Sequence, residues 1–152
     1  MSTELMAGKR GLIMGLANDK SIAWGVARAC ADAGAELAFS YQGEALRKRV
    51  DPLAASVGSD IVLPCDVGDE DSIDALFASL RESWDRLDFI VHAIGYSDKG
   101  ELRGRYLDTS RENFRISMDI SVYSFTAVMQ RAAPMMSQGG SALTLTYYGS
   151  EK

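Results

Sequence analysis

The chain has 152 residues, 47% of them hydrophobic, and a formal net charge of -5. That is enough apolar material for one sizeable core and suits a single domain. The negative charge is spread along the sequence with no basic block, which argues against nucleic acid and anionic membranes as partners and leaves small-molecule chemistry.

The first strong signal is the run Lys9 to Gly25: an apolar strand at Gly11–Met14, a turn at Gly15, then a helix over Ser21–Ala33 with Ser21 at its N-cap and Gly34 past its end. This order of strand, glycine turn and helix suits a nucleotide pyrophosphate, because Gly15 turns without a Cβ and the first N–H groups of the helix face an anion. The spacing is not G-x-G-x-x-G; Gly15 and Ser21 are separated by five residues. Gly25 lies inside the helix, where glycine costs up to about 1 kcal/mol against alanine, so it is expected to permit close packing against a strand.

Glu36–Tyr41 reads as the second strand and Gly43–Val57 as a helix with Arg47, Lys48 and Arg49 outward, interrupted or restarted at Pro52. Ile61–Cys65 is the third strand. Asp71–Trp84 is an amphipathic helix with Ile73, Leu76, Phe77 and Leu80 at helical spacing. Leu87–Ala93 is the fourth strand, Gly95–Arg105 is polar and irregular, Asn113–Met136 is one long helix ended by Gln138-Gly139-Gly140, and Ala142–Tyr147 is the fifth strand. There is no internal repeat, low-complexity stretch or linker.

Strands alternating with helices imply right-handed crossovers and an α/β fold: a doubly wound parallel sheet of Rossmann type, with helices on both faces. Ligands in such sheets sit beyond the carboxyl ends of the strands. That rule selects Gly15, Tyr41-Gln42, Cys65-Asp66-Val67, His92-Ala93-Ile94-Gly95 and Thr146-Tyr147. His92, the one histidine, sits inside an apolar strand and reads as a hydrogen-bonded core residue instead of a general base. Tyr147 and Tyr148 are adjacent on a predicted strand and so point to opposite faces. Cys30 and Cys65 have no second Cys or His at ligand spacing; no metal is expected, and both read as core residues of a reduced cytoplasmic protein. The N-terminal Met1-Ser2-Thr3-Glu4 lacks the basic and apolar regions of a signal peptide, and no apolar run approaches a membrane span.

Taken in order, Gly15-x5-Ser21-Ile22-Ala23, Ser40-Tyr41-Gln42, Cys65-Asp66-Val67, His92-Ala93-Ile94-Gly95, Asp119-Ile120-Ser121 with Tyr123-Ser124-Phe125, and Leu143 to Glu151 resemble the bacterial enoyl-acyl-carrier-protein reductases, a divergent branch of the short-chain dehydrogenase/reductases. The resemblance covers essentially the whole chain. It implies NADH-dependent reduction of the carbon–carbon double bond of a trans-2-enoyl thioester on acyl carrier protein in type II fatty-acid elongation, by a cytoplasmic homotetramer. It also implies roles: Gly15, Ser21 and Ile22 on the pyrophosphate turn, Gln42 beside the adenosine, Asp66 and Val67 on the adenine, and Ile94 and Gly95 beside the nicotinamide-side ribose. Ser97 is placed near the acyl substrate, and Tyr147 becomes the first of two active-site tyrosines. Two readings stay open for Asp66, a ligand of the adenine or the cap of the next helix.

The cofactor choice rests on the resemblance, because the Asp or Glu that NAD-binding Rossmann domains usually carry after the second strand is here Tyr41-Gln42, and Arg47 and Lys48 read as a solvated face. The catalytic Tyr-x6-Lys pair of the resembled family lies beyond a segment like Tyr147–Glu151 and is not among these residues; Lys152 falls ahead of it and is not the catalytic lysine. The chain is therefore expected to be the N-terminal, nucleotide-binding portion of a reductase, residues 1–152 forming a Rossmann domain that lacks its last strands. Such a portion alone is expected to be inactive and prone to associate, with Phe125, Val128 and Met129 of the long helix left unpartnered. Two alternatives are a carbonyl-reducing short-chain dehydrogenase, which prefers Gly-x3-Gly-x-Gly and Asn-Ala-Gly at the first and fourth strand ends, and a non-catalytic nucleotide-binding module.

Overall fold

The structure, a computed structural model, describes residues 4–151. Five parallel strands form one sheet in the order β3-β2-β1-β4-β5: β1 (Arg10–Met14), β2 (Glu36–Tyr41), β3 (Val62–Pro64), β4 (Phe89–His92) and β5 (Ser141–Thr144). The central strand β1 pairs with β2 from Arg10↔Glu36 to Ile13↔Phe39 and with β4 from Gly11↔Phe89 to Met14↔His92. Alternate residues of these strands feed two cores. Leu12, Met14, Ala38 and Ile90 face α3 (Glu70–Ser83) and α5 (Ser124–Ala132), while Ile13, Phe39 and Val91 face α1 (Ile22–Asp32) and α2 (Glu44–Ser56). Full burial of such side chains contributes about 1.5–3 kcal/mol each, so the near-continuous apolar strands are held from both faces. The expected doubly wound Rossmann-type architecture is the one observed.

The N-terminal ends of the strands are pinned by charge. Asp88, ahead of β4, accepts a hydrogen bond from the Arg10 N–H at 2.9 Å and pairs with Arg86 at 3.3 Å and Lys9 at 3.4 Å. Burial alone would raise the Asp88 carboxyl, but the Arg10 N–H and the two cations outweigh it and hold it below the ordinary value. The Arg10 side chain in turn bonds Asp85 and Glu36.

Several predicted details differ. Pro52 neither interrupts nor restarts α2; it lies inside the helix on its exposed side, where water can solvate the carbonyl it leaves unbonded, while buried Val50 and Ala54 hold the helix on the sheet. Gly25 does not pack against a strand, since a Cβ there would meet open space. The single long helix is composite: α4 (Arg111–Met118), a π-turn at Asp119–Tyr123, α5, and a 3-10 turn at Ala133–Met135. It begins earlier than expected because Ser110 Oγ accepts the Asn113 N–H at 3.0 Å, and its α-helical part ends at Ala132, with Pro134 inside the 3-10 turn that follows. The π-turn also changes which face is covered. Val128 is fully buried, Met129 packs on the core and the Phe125 ring meets His92 edge-on at 5.5 Å, whereas Phe114, Met118 and Val122 are exposed. Strand β5 stops at Thr144, so Tyr147 and Tyr148 do not lie on a strand; Tyr148–Ser150 form a 3-10 turn.

Candidate functional site

The crossovers from β1 to β2 and from β3 to β4 run on opposite faces, which opens a crevice at the carboxyl ends of β1 and its neighbours. A cleft of about 430 Å³ lies there, walled by Gly15, Gln42, Asp66, Val67, Ile94 and Gly95 among others. Those six of the expected site residues are thus brought together by the fold.

At the end of β1, Gly15 has φ +90°, and a Cβ on it would stand 2.0 Å from the Ala93 carbonyl oxygen. The glycine is required by the end of β4 pressing on the turn, a tighter constraint than the tight turn and phosphate approach expected from sequence. Ser21 does not cap α1 with its side chain. Its Oγ turns back to accept the N–H groups of Ala17 at 3.1 Å and Asn18 at 3.0 Å, which fixes the loop between Gly15 and the helix. Among the described residues, the N–H groups of Ile22 and Ala23, the first two of α1, have no acceptor. Free donors at the positive end of an 11-residue helix suit an anion. Ser21 and Ile22 themselves are outside the cleft wall, and the Ile22 side chain is exposed.

At the ends of β2 and β3, the buried Tyr41 ring lies under the Arg47 guanidinium at 5.8 Å, and Gln42 is exposed beside it. Asp66 does not cap the next helix. Its Oδ1 accepts the Gly68 N–H at 2.9 Å in a local turn, its own N–H donates to Ser72 Oγ, and the cap of α3 is Asp69, which accepts from the Asp71 N–H at 3.0 Å. The Asp66 carboxylate is exposed at the cleft rim with one oxygen uncommitted among the described residues. Beside it the Cys65 thiol is buried and pushed up to about 12 by burial, with the charges of Asp66 and Asp69 adding to the shift; it is a wall and not a nucleophile.

At the end of β4, His92 is completely buried, with Nδ1 3.1 Å from Thr144 Oγ1 and Nε2 2.8 Å from Ser124 Oγ, and its pKa is lowered by burial. It is the core residue expected. Past it, Tyr96 is tied to the π-turn: its N–H donates to Ser121 Oγ at 2.9 Å, and that hydroxyl donates back to the Tyr96 carbonyl at 3.2 Å. Ser97 bonds Asn113, whose Oδ1 also accepts the Asp98 N–H, so Ser97 belongs to the loop's anchor and is not in the cleft wall. Ile116 and Ile120 close the cleft opposite the sheet, and Leu46 of α2 adds to it. These three were not reachable from strand ends. Their one signal is the four-residue spacing of Ile116 and Ile120 on a helix.

Tyr147 follows β5 on the same side of the sheet as the cleft but is 91% exposed and does not line it. Lys152 lies outside the described residues. Among those residues no group of three His, Cys, Asp or Glu is placed to hold a metal, and no helix is long and apolar enough to cross a membrane.

Residues 15–152 match the profile of a family described as Enoyl-(Acyl carrier protein) reductase. The chain is 63% identical over 148 residues to "Enoyl-[acyl-carrier-protein] reductase [NADH] 1" of Rhizobium meliloti (strain 1021), covering 97% of this chain and 54% of that protein. It is similar to the crystal structure of FabI from Candidatus Liberibacter asiaticus, with TM-score 0.95 at 55% identity over 97% of this chain and 57% of that one. A reductase from Anaplasma phagocytophilum in complex with NAD gives TM-score 0.94 at 57% identity over 97% and 56% of the respective chains. The chain spans little more than half the length of the relatives it matches.

Proposed function

The chain belongs to the enoyl-(acyl carrier protein) reductase family, and from that premise we propose that the full-length protein carrying it reduces the trans-2 double bond of an enoyl-acyl-carrier-protein thioester with NADH. The observation that carries this reading is the cleft itself: six residues from four different strand ends meet around 430 Å³ at the switch in strand order, beside unbonded N–H groups of α1. A dinucleotide needs an anion-binding helix end, a polar adenosine end and a less polar nicotinamide end, and the cleft offers that sequence of environments.

In this reading the backbone between Gly15 and Ala23 holds the pyrophosphate, with Ser21 acting through the loop it fixes and Ile22 through its N–H. Gln42, Asp66 and Val67 hold the adenosine, Asp66 by accepting from the adenine amino group. Ile94 and Gly95 run beside the nicotinamide ribose, and Ile120 excludes water from that end. When bound, NADH supplies the hydride for the β-carbon of the substrate. Preorganised donors facing the charge that develops on the thioester oxygen are worth about 2.7–4 kcal/mol each in such chemistry. Tyr147 is proposed as one of the two active-site tyrosines, and Ser97 as part of the loop near the acyl chain. Acyl carrier protein as substrate carrier, a homotetrameric assembly and a cytoplasmic location complete the proposal.

Titrating the full-length protein with NADH and following NADH oxidation with a trans-2-enoyl thioester tests it. Saturable binding together with thioester-dependent oxidation is the expected result. Binding without oxidation by any enoyl thioester, or oxidation with ketone substrates instead, overturns it.

A further inference from the structure

The buried polar chain joining β5, β4 and the π-turn carries an inference that rests on the cleft being the NADH site. Ser124 Oγ lies 2.6 Å from the Ile120 carbonyl oxygen and 2.8 Å from His92 Nε2. A hydroxyl has one proton, and a contact of 2.6 Å between two oxygens requires it to lie between them, so Ser124 donates to Ile120. Nε2 must then carry a hydrogen and donate to Ser124. In the neutral ring, which burial favours, Nδ1 is left bare and accepts from Thr144 Oγ1 at 3.1 Å. The direction of all three bonds is fixed, and the chain ends on a carbonyl of the π-turn.

That turn is where the helix touches the cleft. Ile120 lines it, and the next residue, Ser121, holds both backbone groups of Tyr96 directly after Ile94 and Gly95. π-Turns inside α-helices are rare and concentrate at functional sites. Here the side chain of Ser124 bonds back four residues to the turn, and His92 and Ser124 are both fully buried, so no water competes for either group.

We propose that His92 is a positioning residue: as the neutral Nε2–H tautomer it locks the π-turn through Ser124, and thereby sets Ile120 and the Tyr96 loop at the nicotinamide end of the cleft. In the full-length protein, His92→Leu and Ser124→Ala remove the link from either side, whereas His92→Gln keeps a donor near the Nε2 position. The expected result is NADH affinity about tenfold weaker in His92→Leu and Ser124→Ala, with the double variant no weaker than either single one, and recovery to within about threefold in His92→Gln. Ile73→Val, which trims the core on α3, is expected to lower the melting temperature and leave affinity unchanged.

Amide hydrogen exchange at Tyr96 and residues 120–124, measured without NADH, tests the link alone and is expected to accelerate in the first two variants and not in Ile73→Val. Exchange and affinity unchanged in both His92→Leu and Ser124→Ala overturn the proposal, and so does His92→Gln behaving like His92→Leu. If His92→Leu does not fold, Ser124→Ala decides by the same criteria. A parent protein that binds no NADH refutes the cofactor reading instead, and the exchange arm still decides the link.

Discussion

Replacing Gly15 by alanine adds one methyl group, and the structure says where it goes. At φ +90° the Cβ arrives 2.0 Å from the Ala93 carbonyl oxygen, a backbone atom that no rotamer change can move aside. Holding a non-glycine residue in that conformation costs about 1–3 kcal/mol, and forcing β1 and β4 apart at their ends adds about 1–3 kcal/mol of overpacking. The expected loss is about 2–6 kcal/mol of stability. Both displaced segments line the cleft, so NADH affinity is expected to fall about tenfold or more, that is, by about 1.4 kcal/mol or more. Denaturant unfolding and NADH titration of the full-length protein measure the two effects. Gly25→Ala is the control: its Cβ enters open space inside a helix, and the variant is expected to gain about 0.5–1 kcal/mol with unchanged affinity. Gly15→Ala matching the parent in both assays refutes the reasoning.

Asp66→Ala is expected to weaken NADH by about 1.5–3 kcal/mol, while Asp69→Ala, which removes the cap of α3, costs about 1 kcal/mol of folding stability and leaves affinity alone; reversed outcomes in calorimetry and melting refute the assignment. The lowered Asp88 carboxyl stabilises the fold in full above its ordinary value of 3.8 and loses that contribution as the pH falls through its lower folded-state value. Stability measured between about pH 5 and pH 2 should therefore fall more steeply in the parent than in Asp88→Asn. Cys65, buried with its thiol pushed up to about 12, is expected to stay unmodified by iodoacetamide at about pH 8 in the folded protein, where a thiol at its ordinary value is partly ionised; labelling detected by mass spectrometry argues against that environment.

The central strands β1, β2 and β4 were legible because strands buried on both faces write themselves as apolar runs, and the helices between them because glycines punctuate the turns. The strand-end rule then found Gly15, Gln42, Asp66, Val67, Ile94 and Gly95 without any geometry. Besides neighbours of those strand ends, such as Leu16 and Tyr96, it missed the helical wall: Leu46, Ile116 and Ile120 reach the cleft by side-chain direction, which depends on how a helix is rotated on the sheet. The π-turn was invisible for a related reason. One extra residue leaves composition and periodicity nearly intact, yet it turns Phe125 and Val128 inward and leaves Phe114 and Met118 in water. Pro52 and Gly25 misled because propensity gives what a residue costs and not whether the helix survives it: both sit at exposed helix positions, and tertiary packing, through Val50 and Ala54 for α2, holds each helix in spite of them. Ser21 was placed correctly at the start of α1, but its hydroxyl serves the loop ahead of the helix.

The strand order also sets a schedule for synthesis. β1 is made first and lies in the middle, but one of its two neighbours, β4, begins only at Phe89. At about 5–20 residues per second, the side of β1 that awaits β4 stays open on the ribosome for roughly 4–15 s after β1 is complete. During that interval Leu12 and Met14, completely buried in the finished molecule, belong to an incomplete core with a bare strand edge beside it. A nascent chain stalled between Tyr41 and Phe89 is therefore left with that edge bare; synthesis past His92 pairs it, and the core over Leu12 and Met14 closes only once α5 has followed.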